Sequence, residues 1–571
     1  MIKFLFYFLS CILVTINTFQ IAEARTDAGD ALRQIERNQE IERTKIPKLI
    51  EKKEDKPLLK EGEKVKVQSF IFRGNKIITT EELEAFLKKY IGTELTFDEI
   101  NQAVVSISIL YEQKGFLAQA TLPQQNITDG SIEINILEAH FGGTTYLPMG
   151  NGDKPYIRES RVMDIVYPSS KVNGPLDLKR LERGILLAND LPGIGVGANL
   201  KPGEEVGHTD VEVQIENRAR FSTSMLADNY GSRSTGYERV MVSADLLNPL
   251  RLGDDLNATF LKTAGTDYMR FNYSLPIGND GWRVGTNATY LEYEVITIEY
   301  KSILPVGHSA GFGLEATYPI HRARDKNLNL EFNYDTKTFQ NNDMSSGVIS
   351  DYYTRIFSTA LSGDFVDQWL LDGATNNSKF TFDHGKNDLK TSPNFSTDLS
   401  NSHTHGIFNR AQLSFRRDQF LKNDYTLVIK GSGQWADHNL DSSQKFYLGG
   451  PTGVRAYPAS EGSGSEGYLL NLELKKDLPF NLTASIFYDE GYVRQNVDNF
   501  DAEGRKINAL NNFKLKGYGL EFSWRTPFKS NIFFTYAKRD GTNPNRDQDS
   551  GKDQDGTLYK DVFWLRAVAS F

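Results

Sequence analysis

Cysteine is all but missing: the only one in 571 residues is Cys11, and it falls in a segment that reads as removable. A mature chain without thiols forms no disulfide, uses no cysteine nucleophile and builds no cysteine zinc site. Long apolar runs are missing too. After Ile16 no stretch approaches the roughly 20 apolar residues that a spanning helix needs. Such a chain is either soluble or crosses a membrane as strands, because only helices and closed barrels satisfy every backbone group in lipid. Positive charge is in deficit, with 65 Lys and Arg against 74 Asp and Glu. Phosphate binding needs a basic face, so nucleic acid is not an expected partner. Catalytic signatures are absent as well: there is no G-x-S-x-G, no H-E-x-x-H and no P-loop. Neither an enzymatic activity nor a cofactor is expected, and no motif for using ATP is present.

What the chain does have is aromatic residues. They make up 12%, with 35 Phe and 26 Tyr, while charged residues still make up 24% and the mean hydropathy is -0.45. That mixture is foreign to a helical membrane protein. It is ordinary for a transmembrane barrel, where only alternate residues of a strand face lipid.

The first 24 residues read as a secretory signal. Lys3 supplies the positive start, Phe4 to Ile16 the apolar stretch, and Ala22-Glu23-Ala24 the cleavage site. Residues 25–47 read as a polar helix. Around Leu32 and Ile35 stand Arg33, Glu36, Arg37 and Glu40, leaving no stripe to bury against a core; a water-filled lumen would suit it. Pro47 should end it, and 48–64 is a charged linker.

Residues 65–140 predict a β-α-α-β-β module. Val65, Val67, Ser69 and Ile71 alternate along one strand, and Gly74-Asn75 turns the chain. Thr79 with Glu82, and Thr96 with Glu99, predict capping boxes. Ile100, Ala103, Val104, Ile107 and Tyr111 share a helical face, and Gly115 is placed to end that helix in a left-handed cap. Strands follow at Phe116–Leu122 and Ile132–Leu137. Residues 141–217 repeat the plan more loosely, with a helix carrying Leu178, Leu181, Ile185 and Ala188 and a closing strand through Val211, Val213 and Ile215.

From 218 to 571 short alternating segments recur between Gly/Asn/Asp/Ser clusters. Trp282, Val284, Thr286, Ala288 and Tyr290 share one face of such a segment, as do Phe563, Leu565, Ala567, Ala569 and Phe571. Some 350 residues of this texture predict roughly 16 strands at about 10 residues each plus turns. Asn376–His405 and Asp540–Gly556 read as long outer loops. A soluble sandwich or propeller is the plainer alternative, and the signal segment and terminal aromatic weigh against it. His403-x-His405 could bind a metal but reads as two histidines of a polar loop, the acids Asp547, Asp549, Asp553 and Asp555 lack the spacing of a calcium loop, and no metal is expected at either.

The densest motif is Leu448-Gly449-Gly450-Pro451-Thr452-Gly453-Val454-Arg455-Ala456-Tyr457. Its glycines permit close backbone approach, and Arg455 could reach a carboxylate on the segment Phe487-Tyr488-Asp489-Glu490-Gly491. An Arg455–Asp489 pair would be charge-assisted and bidentate. Spacing alone leaves a solvated surface arginine equally open.

This loop resembles the VRGY-type motif of the superfamily that joins a barrel to POTRA (polypeptide-transport-associated) modules. Residues 111–138, through Tyr111, Gly115-Phe116, Pro123-Gln124 and Asp129-Gly130, resemble the POTRA module of two-partner secretion transporters. Residues 189–216, with Leu191-Pro192-Gly193, Leu200 and Pro202-Gly203, resemble the second module of the haemolysin activator/secretion group. Ala456 departs from the glycine usual in the family, which puts the local loop geometry in question.

The resemblance implies a mainly β fold: a 16-stranded antiparallel transmembrane β-barrel behind two α+β POTRA modules and an N-terminal plug helix. The domains would be 1–24, 25–47, 48–64, 65–140, 141–217 and 218–571. It implies an inward-folded loop with Val454, Arg455, Ala456 and Tyr457, and a salt bridge to Asp489. It implies outer-membrane localisation with the modules in the periplasm, a monomeric pore among outer-membrane lipids, and a secreted exoprotein with an N-terminal secretion domain as partner. Extended peptides add to open strand edges. The expected cargo groove therefore lies at Phe116, Leu117, Gln119 and Thr121 beside Val104 and Tyr111. An assembly factor for other barrels and a passive channel remain the rival readings.

Overall fold

The computed structural model describes residues 27–42, 64–125, 129–148, 154–300, 302–344, 346–500, 505–506, 511–547 and 549–571. The expected signal segment with Cys11, and nearly all of the charged linker, lie outside the described residues.

Two small α+β units come first. In the first, strand β1 (Lys64–Lys66) pairs with β3 (Glu94–Thr96), while β2 (Ser69–Arg73), β4 (Ala118–Thr121) and β5 (Ser131–Glu138) form a sheet in the order β2-β5-β4. The single strand expected through Val65–Ile71 is thus two pieces. The chain breaks at Val67, whose amide and carbonyl bond to Thr93 and Gly92 instead. Helices Thr80–Leu87 and Phe97–Lys114 cover one sheet face and bury Leu83, Leu87, Ile100, Ile107 and Tyr111 against Ile132 and Ile134. Thr96 and Glu99 make the full reciprocal capping box. Thr79 caps its helix through the Glu82 amide. Gly115, at φ 92°, provides the left-handed end.

The second unit repeats this topology: β6 (His140–Leu147) parallel to β8 (His208–Asn217), with β7 (Ile194–Pro202) antiparallel on the far side of β8. Its helix Leu178–Asn189 matches the expectation. A second helix, Glu159–Val166, had no sequence signal, and its N-cap Arg158 makes no side-chain cap bond.

Sixteen antiparallel strands then close into a barrel. They are β9 (Phe221–Asp228), β10 (Arg239–Leu247), β11 (Asp255–Lys262), β12 (Thr266–Ile277), β13 (Trp282–Glu294), β14 (Val306–Arg322), β15 (Lys326–Asp343) and β16 (Gly347–Asp367), and then β17 (Ala374–Asp388), β18 (Gly406–Leu421) and β19 (Tyr425–Ala436). After the short pair β20 (Phe446–Tyr447) and β21 (Ser463–Gly464), the barrel resumes with β22 (Glu466–Leu478), β23 (Leu482–Arg494), β24 (Asn512–Arg525), β25 (Ser530–Arg539) and β26 (Asp561–Ser570), which pairs back onto β9. Asn376–Asp388 therefore belongs to β17 and not to an outer loop. The alternation of its side chains was hidden by polar residues that face the lumen. Closure leaves no unpaired edge, and outward residues such as Phe260, Phe312, Phe357, Phe382 and Phe522 are exposed, as a lipid-facing wall requires.

The second unit docks on the near-end turns. Arg322 makes two 2.8 Å bonds to Asp190, and Arg161 and Arg183 each donate to a carbonyl near a strand end, those of Pro276 and Pro319, at 2.8 Å. The opposite barrel end carries the long loops.

Helix Ala28–Glu42 lies inside the barrel. Contrary to the expectation of a polar helix with no stripe to bury, Ala28, Ala31, Leu32 and Ile35 form one at helical spacing. It is buried against Leu261, Tyr268, Leu291, Tyr293 and Phe339 of the wall. Polar contacts tie the other faces: Lys337 Nζ to Glu36 at 2.7 Å, and the Ala28 amide to Asn341 Oδ1 at 3.0 Å. Replacing Leu32 with Asp should remove about 2 kcal/mol of apolar burial and oppose a carboxylate to an apolar wall. Planar-bilayer recordings are expected to show a larger and more frequently open pore. A conductance equal to wild type would mean that the stripe does not hold the helix.

Candidate functional site: the inward loop and its lock

The connection between β19 and β22, residues 437–465, folds back into the lumen. Its glycines serve this directly. Gly450 adopts φ 101°, and a Cβ on Gly453 would sit 1.8 Å from the Leu448 carbonyl oxygen, so the backbone there doubles back more tightly than any side chain allows. Val454, Arg455, Ala456 and Tyr457 are all buried, within a cluster that includes Leu448, Leu469, Phe487, Phe513 and Leu515.

Arg455 is only 6% exposed. Its Nε and Nη2 each donate to one Asp489 oxygen at 2.9 Å, and its own amide donates to Asp489 Oδ2 at 3.1 Å. Glu473 of β22 lies 3.5 Å from Nη1, and Glu521 of β24 lies 3.6 Å from it. The guanidinium carbon sits 3.4 Å from the centre of the Phe487 ring, a cation–π contact in a desolvated setting. Asn471 Nδ2 bridges the Gly453 carbonyl at 3.0 Å and Asp489 Oδ1 at 2.7 Å.

Two further residues, with no signal in the sequence motif, hold the same tip. The indole Nε1 of Trp564 on β26 donates to the Arg455 carbonyl at 2.8 Å. Arg539 Nε at the end of β25 donates to the Ala456 carbonyl at 3.1 Å. The loop tip is thereby tacked to five consecutive strands, β22 to β26. Spacing could not reveal these partners, because neighbours across a barrel are separated by whole hairpins.

Ala456 fits where the related motif carries glycine. Its φ is not positive, and opposite it stands Gly517, whose Cβ would lie 2.5 Å from the Ala456 Cβ. The methyl group of Ala456 occupies the space that Gly517 leaves open.

The lumen helix meets the same loop: Gln34 Nε2 donates to Ser460 Oγ at 2.6 Å, Arg37 Nη1 to the Gly449 carbonyl at 3.3 Å, and Ser442 Oγ to Asp27 at 2.7 Å.

The expected groove in the first unit needs correction. Val104 and Tyr111 lie in its core, 3% and 0% exposed, and cannot touch a partner. The Tyr111 hydroxyl donates to Glu138 at 2.8 Å; burial, reinforced by that carboxylate, pushes its pKa well above the ordinary tyrosine value. Phe116 and Leu117 are half-buried, packed on the first and second cores respectively. Gln119 and Thr121 are exposed and line a shallow hollow with Arg73, Asn135 and Leu137. Among the described residues no cluster of His, Cys, Asp and Glu could hold a metal ion. His405 Nδ1 instead accepts the Leu389 amide, and His403 stacks on Phe500.

Two predictions test this packing. Gly517→Ala should cost roughly 1–3 kcal/mol through overpacking and loosen the loop, while Ala456→Gly in the same chain should restore it, read as the temperature at which the barrel unfolds in detergent. If the double variant is no better than the single one, the two residues do not share the space. The second concerns Glu461 at the root of the loop. Burial, with Asp553 and Asp555 nearby, pushes its pKa up to about 7 against the opposing bonds from Asn543 and the Gln554 amide. The seated form holds a proton that the solvated form has lost, so seating is strongest below the ordinary glutamate pKa and weakens as pH rises through about 7. Amide exchange in residues 449–465, corrected for its intrinsic pH dependence, should rise across that interval in wild type and stay flat in Glu461→Gln. A flat wild-type profile would count against the assignment.

Comparison with known proteins now places the chain. The sequence profile of the POTRA domain, ShlB-type, matches residues 65–139. That of the haemolysin secretion/activation protein ShlB/FhaC/HecB matches residues 207–537, more than half of the chain. The heme/hemopexin transporter protein HuxB of Haemophilus influenzae is 28% identical over 564 residues, covering 96% of this chain and 95% of its own. The hemolysin transporter protein HpmB of Proteus mirabilis is 22% identical over 520 residues, covering 84% and 85%. The solved structure of CdiB from Escherichia coli superposes with a TM-score of 0.72 at 18% identity over 96% of this chain and 100% of its own, which speaks for the fold. With a profile match across most of the barrel, a POTRA module before it and a closed 16-stranded wall around an inward loop, this chain belongs to the haemolysin secretion/activation family, ShlB/FhaC/HecB, of outer-membrane transporters.

Proposed function

We propose that this transporter secretes one large exoprotein through its own barrel, captures it by an N-terminal secretion domain at the first periplasmic module, and works as a monomer. The observation that carries the reading is how the lumen is closed. Two pieces of the chain, the helix Ala28–Glu42 and the inward loop, fill it through side-chain contacts and not through the barrel ladder. Both can leave without opening the wall. A passive channel has no use for such removable closures or for two modules below them.

Capture at the first module rests on the edge of β4. The Ala120 amide turns away from β5 and donates to Ser108 Oγ of the neighbouring helix at 3.0 Å. A hydroxyl on a helix is easily displaced by the carbonyl of an incoming extended segment, which would add as a further strand. Exposed Val105 and Ile109 on that helix and Leu137 on the sheet offer apolar side-chain contacts nearby. Among the relatives, HpmB is named a hemolysin transporter and HuxB a heme/hemopexin transporter. The helix and loop then withdraw, and the polar lumen conducts the unfolded chain. Folding outside makes return unfavourable.

Cells lacking this gene should lose one large protein from the medium. Wild type should restore it, and Arg455→Ala should not, although the variant inserts in the outer membrane. Removing one partner of a buried pair costs about 3–5 kcal/mol, enough to unseat the loop. A simultaneous fall in many outer-membrane barrels would instead indicate an assembly factor and sink the proposal. Ala120→Pro removes only an edge donor and should abolish exoprotein binding with the barrel intact; undiminished binding would exclude the β4 edge.

A further inference from the structure

The loop between β25 and β26, residues 540–560, belongs to the far mouth of the barrel, yet its middle is buried. Asp553 is 2% exposed and Asn543 3%. Asp553 meets Arg539, the last residue of β25, and Asn543 donates to Asp553. One Arg539 guanidinium makes three kinds of contact. Nε donates to the Ala456 carbonyl at the lock, Cζ lies 4.5 Å from the centre of the Tyr457 ring, and Nη1 and Nη2 grip the two oxygens of Asp553, the former at 2.9 Å. Around that grip the two loops exchange further bonds. Asn543 Nδ2 reaches both Asp553 Oδ1 at 2.8 Å and Glu461 Oε1 at 2.9 Å. The Gln554 amide donates to Glu461 Oε2 at 2.9 Å, and the Gly462 amide donates to Gln554 Oε1 at 3.0 Å. The outer loop also reaches across the mouth, where Arg233 Nη1, between β9 and β10, donates to the Asp555 carbonyl at 3.0 Å.

A planar guanidinium has five donors in a fixed fork. Arg539 uses one edge for a carbonyl of the inward loop and the other for a carboxylate of the outer loop. If the inward loop leaves, Arg539 loses an acceptor and its aromatic neighbour, and the bonds from Glu461 to Asn543 and Gln554 go with it. If the outer loop leaves, a nearly buried guanidinium loses the Asp553 carboxylate, at a cost that the remaining carbonyl does not offset. We propose that Arg539 is a second lock residue, a positioning residue that ties the surface loop 540–560 to the inward loop so that the two are released together. The outer loop then acts as the far gate of the same closure that Arg455 and Asp489 hold from within.

This rests on the reading that the inward loop is released during transport, but it is tested without cargo, so each idea can fail alone. Hydrogen exchange would be followed on the full-length protein in detergent, in peptides spanning 551–557 and 449–457. Asp489 bonds to Arg455 and Asn471 and to none of the described residues of the outer loop. Asp489→Asn should nevertheless speed exchange in 551–557, which contains the Gln554 amide, at least tenfold. By reciprocity of coupling, Asp553→Asn should speed exchange in 449–457 by a similar factor. Arg539→Lys keeps a charge for Asp553 but lacks the fork. In that background the effect of Asp489→Asn on the outer loop should fall to the smaller part that the Glu461 bonds carry, whereas a merely structural Arg539 would leave the transmission unchanged. If each carboxylate variant loosens only its own loop, the coupling does not exist and the proposal falls.

Discussion

A guanidinium inside a barrel wall has to be neutralised where it stands, because no solvent shell follows it there. Arg455 meets this condition through Asp489, Glu473 and Glu521. Glu473 in turn faces Lys430 and Lys475 at 3.7 and 3.6 Å. Three cations therefore stand against three carboxylates, and the cluster is neutral as a whole. No member can be withdrawn without leaving a net charge on the others. This makes the loop tip all-or-none: it is seated with every partner satisfied, or it is out with the carboxylates turned to water. A lock built on apolar packing alone would loosen by degrees. Charge balance gives it two states.

The rest of the lumen is arranged around that tip. The helix Ala28–Glu42 leans on the loop through Gln34, Arg37 and Asp27, and on the wall through four small or aliphatic side chains. The loop leans on strands β22 to β26, and the helix's wall contacts come mainly from β11 to β16. The two plugs thus lean on different arcs of the wall and touch along one seam. Neither encloses a core of its own, so neither is a domain. Both are held by a barrel that is complete without them.

Much of this was legible in the sequence, for reasons that also explain the failures. Period-two alternation survives in strands such as Trp282–Tyr290 because one face meets lipid and the other a wet lumen. It fails across Asn376–Asp388, where polar side chains on the lumen face dominate the reading. The arginine and one carboxylate could be paired because both sit in short, glycine-marked motifs. Glu473, Glu521, Arg539 and Trp564 sit in ordinary strand sequence, and only barrel closure brings them to the tip. The stripe of the lumen helix is easily missed because two of its four members are alanines. Counted with Ala28 and Ala31, Leu32 and Ile35 complete the helical spacing 28, 31, 32 and 35. Val104 and Tyr111 were placed in a groove although the same periodicity had put them on the apolar face of their helix. A face that packs the core is not free to bind.

How firmly the plug is held decides whether a passing chain can remove it. Burying one leucine and one isoleucine contributes about 1.5–3 kcal/mol each. The Glu36–Lys337 pair and the few hydrogen bonds to loop and wall each contribute on the order of 1 kcal/mol net. Against this stands the entropy of ordering the helix, which is short enough to be marginal alone. The balance is a few kcal/mol, less than the roughly 8 kcal/mol that a micromolar association supplies. A cargo segment bound at the periplasmic module with ordinary affinity can therefore meet the cost of plug release without ATP, provided that its binding and the seated plug exclude one another. The two locks on the loop tip are stiffer, since each leaves a buried charge when broken. On the proposed mechanism the helix is then the first closure to yield and the charged loop the last.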